Sequence, residues 1–321
     1  MDEPYFTMKN LTHAKKDKTF HKFLFYKLCP KKSIFFIYCC SVSSVKLVED
    51  IRELNCSLNI EPRHCIVYYC CDGLVIIKVY ENSVERQILL LWKPSTRESI
   101  IFPTLEFPME KFSCLGMCFD STSNDYKILK ILNGVSDHSR VPGEILSLKS
   151  CSWRKIVEHP CDICYMVHGM HSLAFIHDSL HCVGNSKNYF VISFDISHEV
   201  YGEISLPEEI ILSNINIGIS ILDGMLCAYI NAYIQGNHTF MLWVMNDYGL
   251  EEFWHRIFSI VDPDICIAAP KYRFADGEVL FWCLHCESRE NAFRTERSSF
   301  TLLPHGILQN GFAFTESLVS P

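Results

Sequence analysis

At 321 residues, 49% hydrophobic and 13% aromatic, the chain can bury a sizeable core and carries too little charge for disorder. Its net charge of −8 argues against a nucleic-acid partner, which would need a basic footprint. The 17 cysteines, an odd number scattered through apolar runs such as Tyr38-Cys39-Cys40 and Tyr69-Cys70-Cys71, do not form the disulfide framework of a small secreted domain.

The start, Met1-Asp2-Glu3-Pro4, lacks a signal-peptide pattern. The apolar run Ser33 to Val42 falls far short of the roughly 20 residues that span a bilayer. A reduced cytosolic or nuclear setting with no membrane partner is therefore expected. The sequons at Asn10, Asn55 and Asn237 are then chance matches.

Asp2–Lys16 and Val45–Leu54 are the only stretches that read as helical. Short apolar runs rich in Ile, Val, Phe and Tyr predict strands elsewhere. In chain order these are Lys22–Tyr26, Ile34–Cys40, Leu74–Tyr80, Ile88–Trp92, Tyr126–Leu132, Glu144–Leu148, Phe190–Phe194, Met225–Ile230, Met241–Met245 and Glu278–Cys283. Many short, evenly spaced strands imply an all-β sandwich, barrel or propeller.

Two signatures alternate along the chain. One is an Asp-Gly turn before a strand: Asp72-Gly73, Asp223-Gly224 and Asp276-Gly277, with His177-Asp178 as a degenerate copy. The other is a strand, a polar turn and a second strand, at Leu91–Arg97, Ser147–Ile156, Ser193–Tyr201 and Trp243–Gly249, the last closed by Phe253-Trp254. With Trp92, Leu148, Phe194 and Trp243 as anchors, the period is about 50 residues, as in kelch-type propeller blades of four strands. About five such units fit from Glu61 onward. The strands Lys22–Phe25 and Ile34–Cys40 then complete another blade or pair with the C-terminal strand, closing the sheet edges. No linker divides the chain, so one domain is expected.

No reaction is specified. The chain has no G-x-S-x-G elbow, phosphate loop or dinucleotide fingerprint. Cys161/Cys164 and Cys283/Cys286 have a zinc-like spacing. Residues i and i+3 of a strand point to opposite faces, however, so these cysteines read as small buried hydrophobes. His168, His171, His177 and His181 have no accompanying carboxylate pattern and read as a His-rich turn region. Ser95-Thr96-Arg97-Glu98 fills the turn slot that Ser150-Cys151-Ser152 and Ser197-His198 fill elsewhere, which argues for shape rather than catalysis. Trp92, Trp153, Trp243 and Trp254 read as packing between blades. No catalytic, cofactor-binding or metal-ligating residue is assigned, and no cofactor is expected.

Several of these stretches resemble the plant F-box-associated (FBA) domain of S-locus-F-box-like and F-box/kelch-repeat-like proteins. They are Cys71-Asp72-Gly73-Leu74-Val75, Leu91–Glu98, Phe119–Ile128, Ser147–Ile156, Ser193-Phe194-Asp195, Leu222-Asp223-Gly224 and Trp243–Gly249, with the closing Glu316–Pro321. Lys93 stands where family members usually carry Asn, a small departure at a turn. The resemblance implies a kelch-like β-propeller over 21–321, preceded at 1–20 by a short helical remnant of the segment that follows an F-box. It also implies a non-catalytic module that captures a protein substrate for an SCF-type ubiquitin ligase. A Skp adaptor and cullin are partners only where an F-box is present, and Met1–Lys16 lacks its Leu-Pro-x-x-Leu-type helix. Candidate substrate loops, chosen for polarity and length, are Asn133–Pro142, His159–His168 and Tyr233–His238. Competing readings are an oxidase- or glycosidase-like propeller enzyme and a truncated family member without function.

Overall fold

The computed structural model describes residues 21–29, 34–42, 52–54, 64–81, 86–103, 113–132, 143–156, 162–163, 173–185, 188–211, 216–249, 254–286, 290–296, 299–302 and 309–315. These form 25 strands and one helical turn. The chain divides into two compact units, Met1–Thr104 with Leu303–Pro321, and Leu105–Leu302.

The first unit holds two four-stranded antiparallel sheets. One contains β1 (His21–Cys29), β2 (Ile34–Ser41) and β3 (Arg52–Leu54), joined by β25 (Gln309–Thr315), which pairs with β1 at Phe23↔Ala313 and Lys22↔Phe314. Both expected fates of the N-terminal strands are realised together: they build a sheet, and the C-terminal strand completes it. The other sheet is the meander β4 (His64–Cys71), β5 (Leu74–Glu81), β6 (Arg86–Lys93) and β7 (Glu98–Ile101). Leu24, Ile37 and Phe314 of one sheet pack with Val75, Leu90 and Trp92 of the other in a common core.

The second unit holds four more meanders. The first is β8 (Ser113–Asp120), β9 (Asp125–Leu132), β10 (Glu144–Ser147) and β11 (Ser152–Lys155). In the next, β12 (Asp162–Ile163) and β13 (Ala174–Ile176) share one side of β14 (Ser179–Asn185), followed by β15 (Tyr189–Asp195) and β16 (Val200–Ser205). Then come β17 (Asn216–Leu222), β18 (Met225–Ile234), β19 (Asn237–Met245) and β20 (Trp254–Val261). The last is β21 (Ile265–Arg273), β22 (Val279–His285), β23 (Glu290–Glu296) and β24 (Ser299–Leu302). Middle strands are largely buried on both faces, as β14 and β18 are, and β18 reads as a near-continuous apolar run rather than an alternation. Within this unit each neighbouring pair of sheets shares one apolar core. Five meanders follow residue 61, the number that the repeat predicts.

The ten predicted strands are all present, shifted by a few residues at their ends. One expected helix is corrected: within Val45–Leu54, residues Arg52–Leu54 pair with Cys39, Tyr38 and Ile37 as an outer strand. Asp2–Lys16 lies outside the described residues. The helical turn that does occur, Glu208–Ile211, begins after Pro207, whose carbonyl accepts the N–H groups of Ile210 and Ile211. A single turn is too short to leave a periodic signal. The repeat anchors also shift. The penultimate residues of the third strands are Trp92, Leu146, Phe194 and Val244, so Leu148 sits in the following turn and Trp243 is one position early.

The turn chemistry matches the sequence closely. Asp72-Gly73, His177-Asp178 and Asp223-Gly224 are two-residue hairpin turns with φ positive at both positions, the twist that suits right-handed strands. Asp276-Gly277 is wider: Phe274 N–H donates to Glu278 O, and only Gly277 is left-handed. Pro94–Arg97, Leu148–Cys151 and Ile196–Glu199 are four-residue turns, each with a left-handed last residue. Ser95-Thr96-Arg97 is thus a turn in the same slot as its relatives, with Glu98 already in β7. Lys93 is not a turn residue but the buried end of β6, where its carbonyl accepts the Arg97 N–H at 2.8 Å.

Candidate protein-binding face

In an antiparallel meander, connections alternate between the two ends of a sheet. The first-to-second and third-to-fourth strand turns share one end, here the turn end. The second-to-third loops and the passages to the next sheet share the other, the loop end.

At the turn end the polar groups are absorbed by structure. Asp120, buried at the end of β8, accepts hydrogen bonds from Thr122 N–H (2.9 Å), Ser123 Oγ (2.6 Å) and Ser197 Oγ (2.6 Å), and pairs with Lys127 Nζ (2.7 Å). Burial pushes its carboxyl up, but these donors outweigh burial and hold it well below the usual carboxylate range. Lys127 also donates to Ile196 O, and Arg154 grips Glu199 through both carboxylate oxygens. Together these groups lash β8–β9 and β11 to the Ile196–Glu199 turn of the next sheet. A carboxylate saturated in this way has no free lone pair for a substrate.

The histidines serve a similar purpose. His181 is fully buried. Its Nδ1–H donates to Ala174 O (3.1 Å), so Nε2 is the acceptor that takes the Tyr248 hydroxyl of the following sheet at 2.6 Å. The exposed His177 ring lies 4.4 Å from Tyr248. His168 and His171 lie outside the described residues. Midway along the sheets, Asn231 holds both backbone groups of Ala268, donating to its carbonyl (3.2 Å) and accepting its N–H (2.7 Å). Sequence reasoning missed Tyr248 and Asn231. The available signal was Asn231 itself, a lone polar residue within the apolar run Met225–Ile234.

Among the described residues no group of three His, Cys, Asp or Glu is placed to hold an ion. Cys283 is buried within β22, where burial pushes its thiol well up, and Cys286 is exposed just beyond the strand. Cys161 and Cys164 lie outside the described residues. The tryptophans pack as expected for Trp92 and Trp243, both buried. Trp254 is half-buried and donates from Nε1 to Ser205 O of the neighbouring sheet at 3.0 Å, while Trp153 is half-buried on β11.

The loop end differs. Asn133–Pro142 joins β9 to β10 and lies outside the described residues, as does His159–His168 apart from Asp162–Ile163, which pair with Asn185 and Gly184. Tyr233–His238 is described in full. It is the tip of the β18–β19 hairpin, closed at Ile234↔Asn237 by Gln235-Gly236 with φ of 51° and 86°. Such a turn fixes both strands without slack, and nothing lies within 4 Å of where a Gly236 side chain would begin. Tyr233 is 68% and Ile234 41% exposed, with the His238 ring 4.9 Å from the Tyr233 ring. Val261, 60% exposed, sits opposite Thr239 on the outer strand.

The comparisons agree with this architecture. The chain spans 92% of its length on TolB from Acinetobacter baumannii, and 67% of that chain, with a TM-score of 0.54 at 8% identity, a likeness of fold alone. F-box protein CPR1 of Arabidopsis thaliana is 23% identical over 205 residues, covering 54% of this chain and 48% of the relative. The putative F-box/kelch-repeat protein At3g17540 from the same plant is 27% identical over 205 residues, covering 61% and 50%. The chain thus spans about half the length of these curated relatives. Residues 22–292 match the family described as the F-box associated beta propeller domain. The fold is an all-β propeller, and the chain belongs to the F-box associated beta propeller domain family.

Proposed function

We propose that this chain is the non-catalytic recognition module of an SCF-type ubiquitin ligase, receiving a protein substrate on the loop end of its sheets. The observation that carries the reading is the family match over residues 22–292, with F-box proteins as the named relatives. The geometry supports it. At the turn end, the polar groups tie neighbouring sheets together. At the loop end, a rigid hairpin offers apolar surface to a partner. A repeat scaffold can vary such loops without disturbing its core. Recruitment of the Skp adaptor and cullin falls to an F-box rather than to the propeller.

The test is reconstitution of the full chain, with and without an F-box fused to its N-terminus, with the Skp adaptor and a cullin–RING pair. The expected result is adaptor capture by the fusion only, and ubiquitination of proteins bound by the propeller in that assembly. Stoichiometric copper or zinc in the purified chain, or bound proteins that the assembled ligase leaves unmodified, would favour the enzyme reading instead.

A further inference from the structure

From the loop end of the β17–β20 sheet we infer a specific docking point. Tyr233 and Ile234 form an apolar peg that packs against aromatic or aliphatic side chains of a linear segment of a protein substrate, and Asp262 and Asp264 beside it select basic side chains flanking them. The inference rests on the recognition reading above and adds the place of contact and the chemistry of the partner.

Three observations carry it. First, the peg is apolar and exposed, with Tyr233 at 68% and Ile234 at 41%, and Val261 on the neighbouring outer strand is 60% exposed. The stretch from Asn231 to Phe240 contains no charged residue apart from the ionisable His238. A Tyr held out in this way gives a large amphipathic contact at little entropic cost, the residue chemistry of interface anchors.

Second, the peg is preorganised. The Gln235-Gly236 turn fixes the hairpin, the His238 ring braces Tyr233, and Asp262 N–H donates to His238 O at 3.0 Å. Binding therefore has little loop ordering to offset.

Third, the acidic groups described beside the peg are of one sign. The Asp262 N–H bond places the passage Asp262-Pro263-Asp264 next to the peg. That passage is itself fixed: Asp264 N–H donates to Asp262 Oδ1 (2.9 Å), and Cys286 N–H donates to Asp264 O (2.9 Å). Neither 231–240 nor 260–265 contains Lys or Arg. Two carboxylates on a fixed turn, on a chain of net charge −8, favour a partner segment with Lys or Arg beside its apolar residues and repel an acidic one.

The test pans the full chain against a displayed library of random 12-residue peptides. Enriched peptides should combine aromatic or aliphatic residues with Lys or Arg. Tyr233→Ser should weaken their binding roughly ten- to thirtyfold without moving the melting temperature. Asp262→Asn with Asp264→Asn should weaken it severalfold and flatten its salt dependence. Peptides that bind Tyr233→Ser as tightly as the parent, or that are acidic, would overturn the docking point while leaving the recognition reading standing. A library that enriches nothing would count against both. A dimer of the parent that Tyr233→Ser dissolves would assign the peg to a second copy of this chain and overturn the proposal.

Discussion

At the scale of the residue, the polar groups of the turn end act as joints between sheets. His181 is the clearest case. Burial drives its imidazole down to about 4, while hydrogen bonds to the backbone of Ala174 and Ser179 pull the other way and His177 adds to the depression. A depressed folded-state pKa means that the unfolded chain takes up the proton first. The His181 contribution is therefore fully present above about pH 6.5, the ordinary histidine value, and is lost as pH falls toward 4. Over that window it amounts to roughly 3 kcal/mol at most. The melting temperature should fall more steeply between pH 6.5 and 4 in the parent than in His181→Gln, which keeps a hydrogen-bonding group at the site. Parallel profiles would mean that the joint with Tyr248 carries no such linkage.

At the scale of the element, the hairpin turns govern how well each sheet closes. His177-Asp178 adopts the left-handed pair of the Asp-Gly turns without a glycine, at φ of 48° and 56°. A side chain in that region costs about 1–2 kcal/mol relative to a relaxed conformation. Asp178→Gly should therefore stabilise the chain by about 0.5–1 kcal/mol, and Gly224→Ala should cost about 1 kcal/mol, both read as shifts in the urea midpoint. These positions are legible in the sequence because few residue types tolerate positive φ, so the turn leaves its mark on composition. The third-strand anchors are less legible. Trp243 and Leu148 are large apolar residues near the right place, but register is set by pairing with the outer strand, which a one-residue slip does not betray in composition. Arg52–Leu54 is misread as helical for a related reason: a three-residue outer strand shows no alternation long enough to detect. The loop-end peg was legible only as a polar segment. That its Tyr233 and Ile234 point outward follows from strand pairing beyond the reach of a local pattern.

At the scale of the whole molecule, the first sheet depends on both ends of the described chain. Its β1 strand is flanked by β2 on one side and β25 on the other, and Leu24 and Phe314 are buried in the core shared with the β4–β7 sheet. A chain ending at Leu302 should keep its later meanders yet lose protection in β1. Hydrogen exchange should then be at least about tenfold faster at β1 amides in the shortened chain, while amides of β18 and β22 change little. Equal β1 protection in both chains would show that β25 is dispensable to that sheet.

The pairing of β25 with β1 also sets a timetable for synthesis. The ribosome makes β25 roughly 280 residues after β1, an interval of about 15–55 s at about 5–20 residues per second. For that time the strand His21–Cys29, rich in Phe and Leu, has one unpaired edge. A nascent chain in this state is a natural client for holding chaperones, and its yield should depend on them more than the stability of the finished fold would suggest.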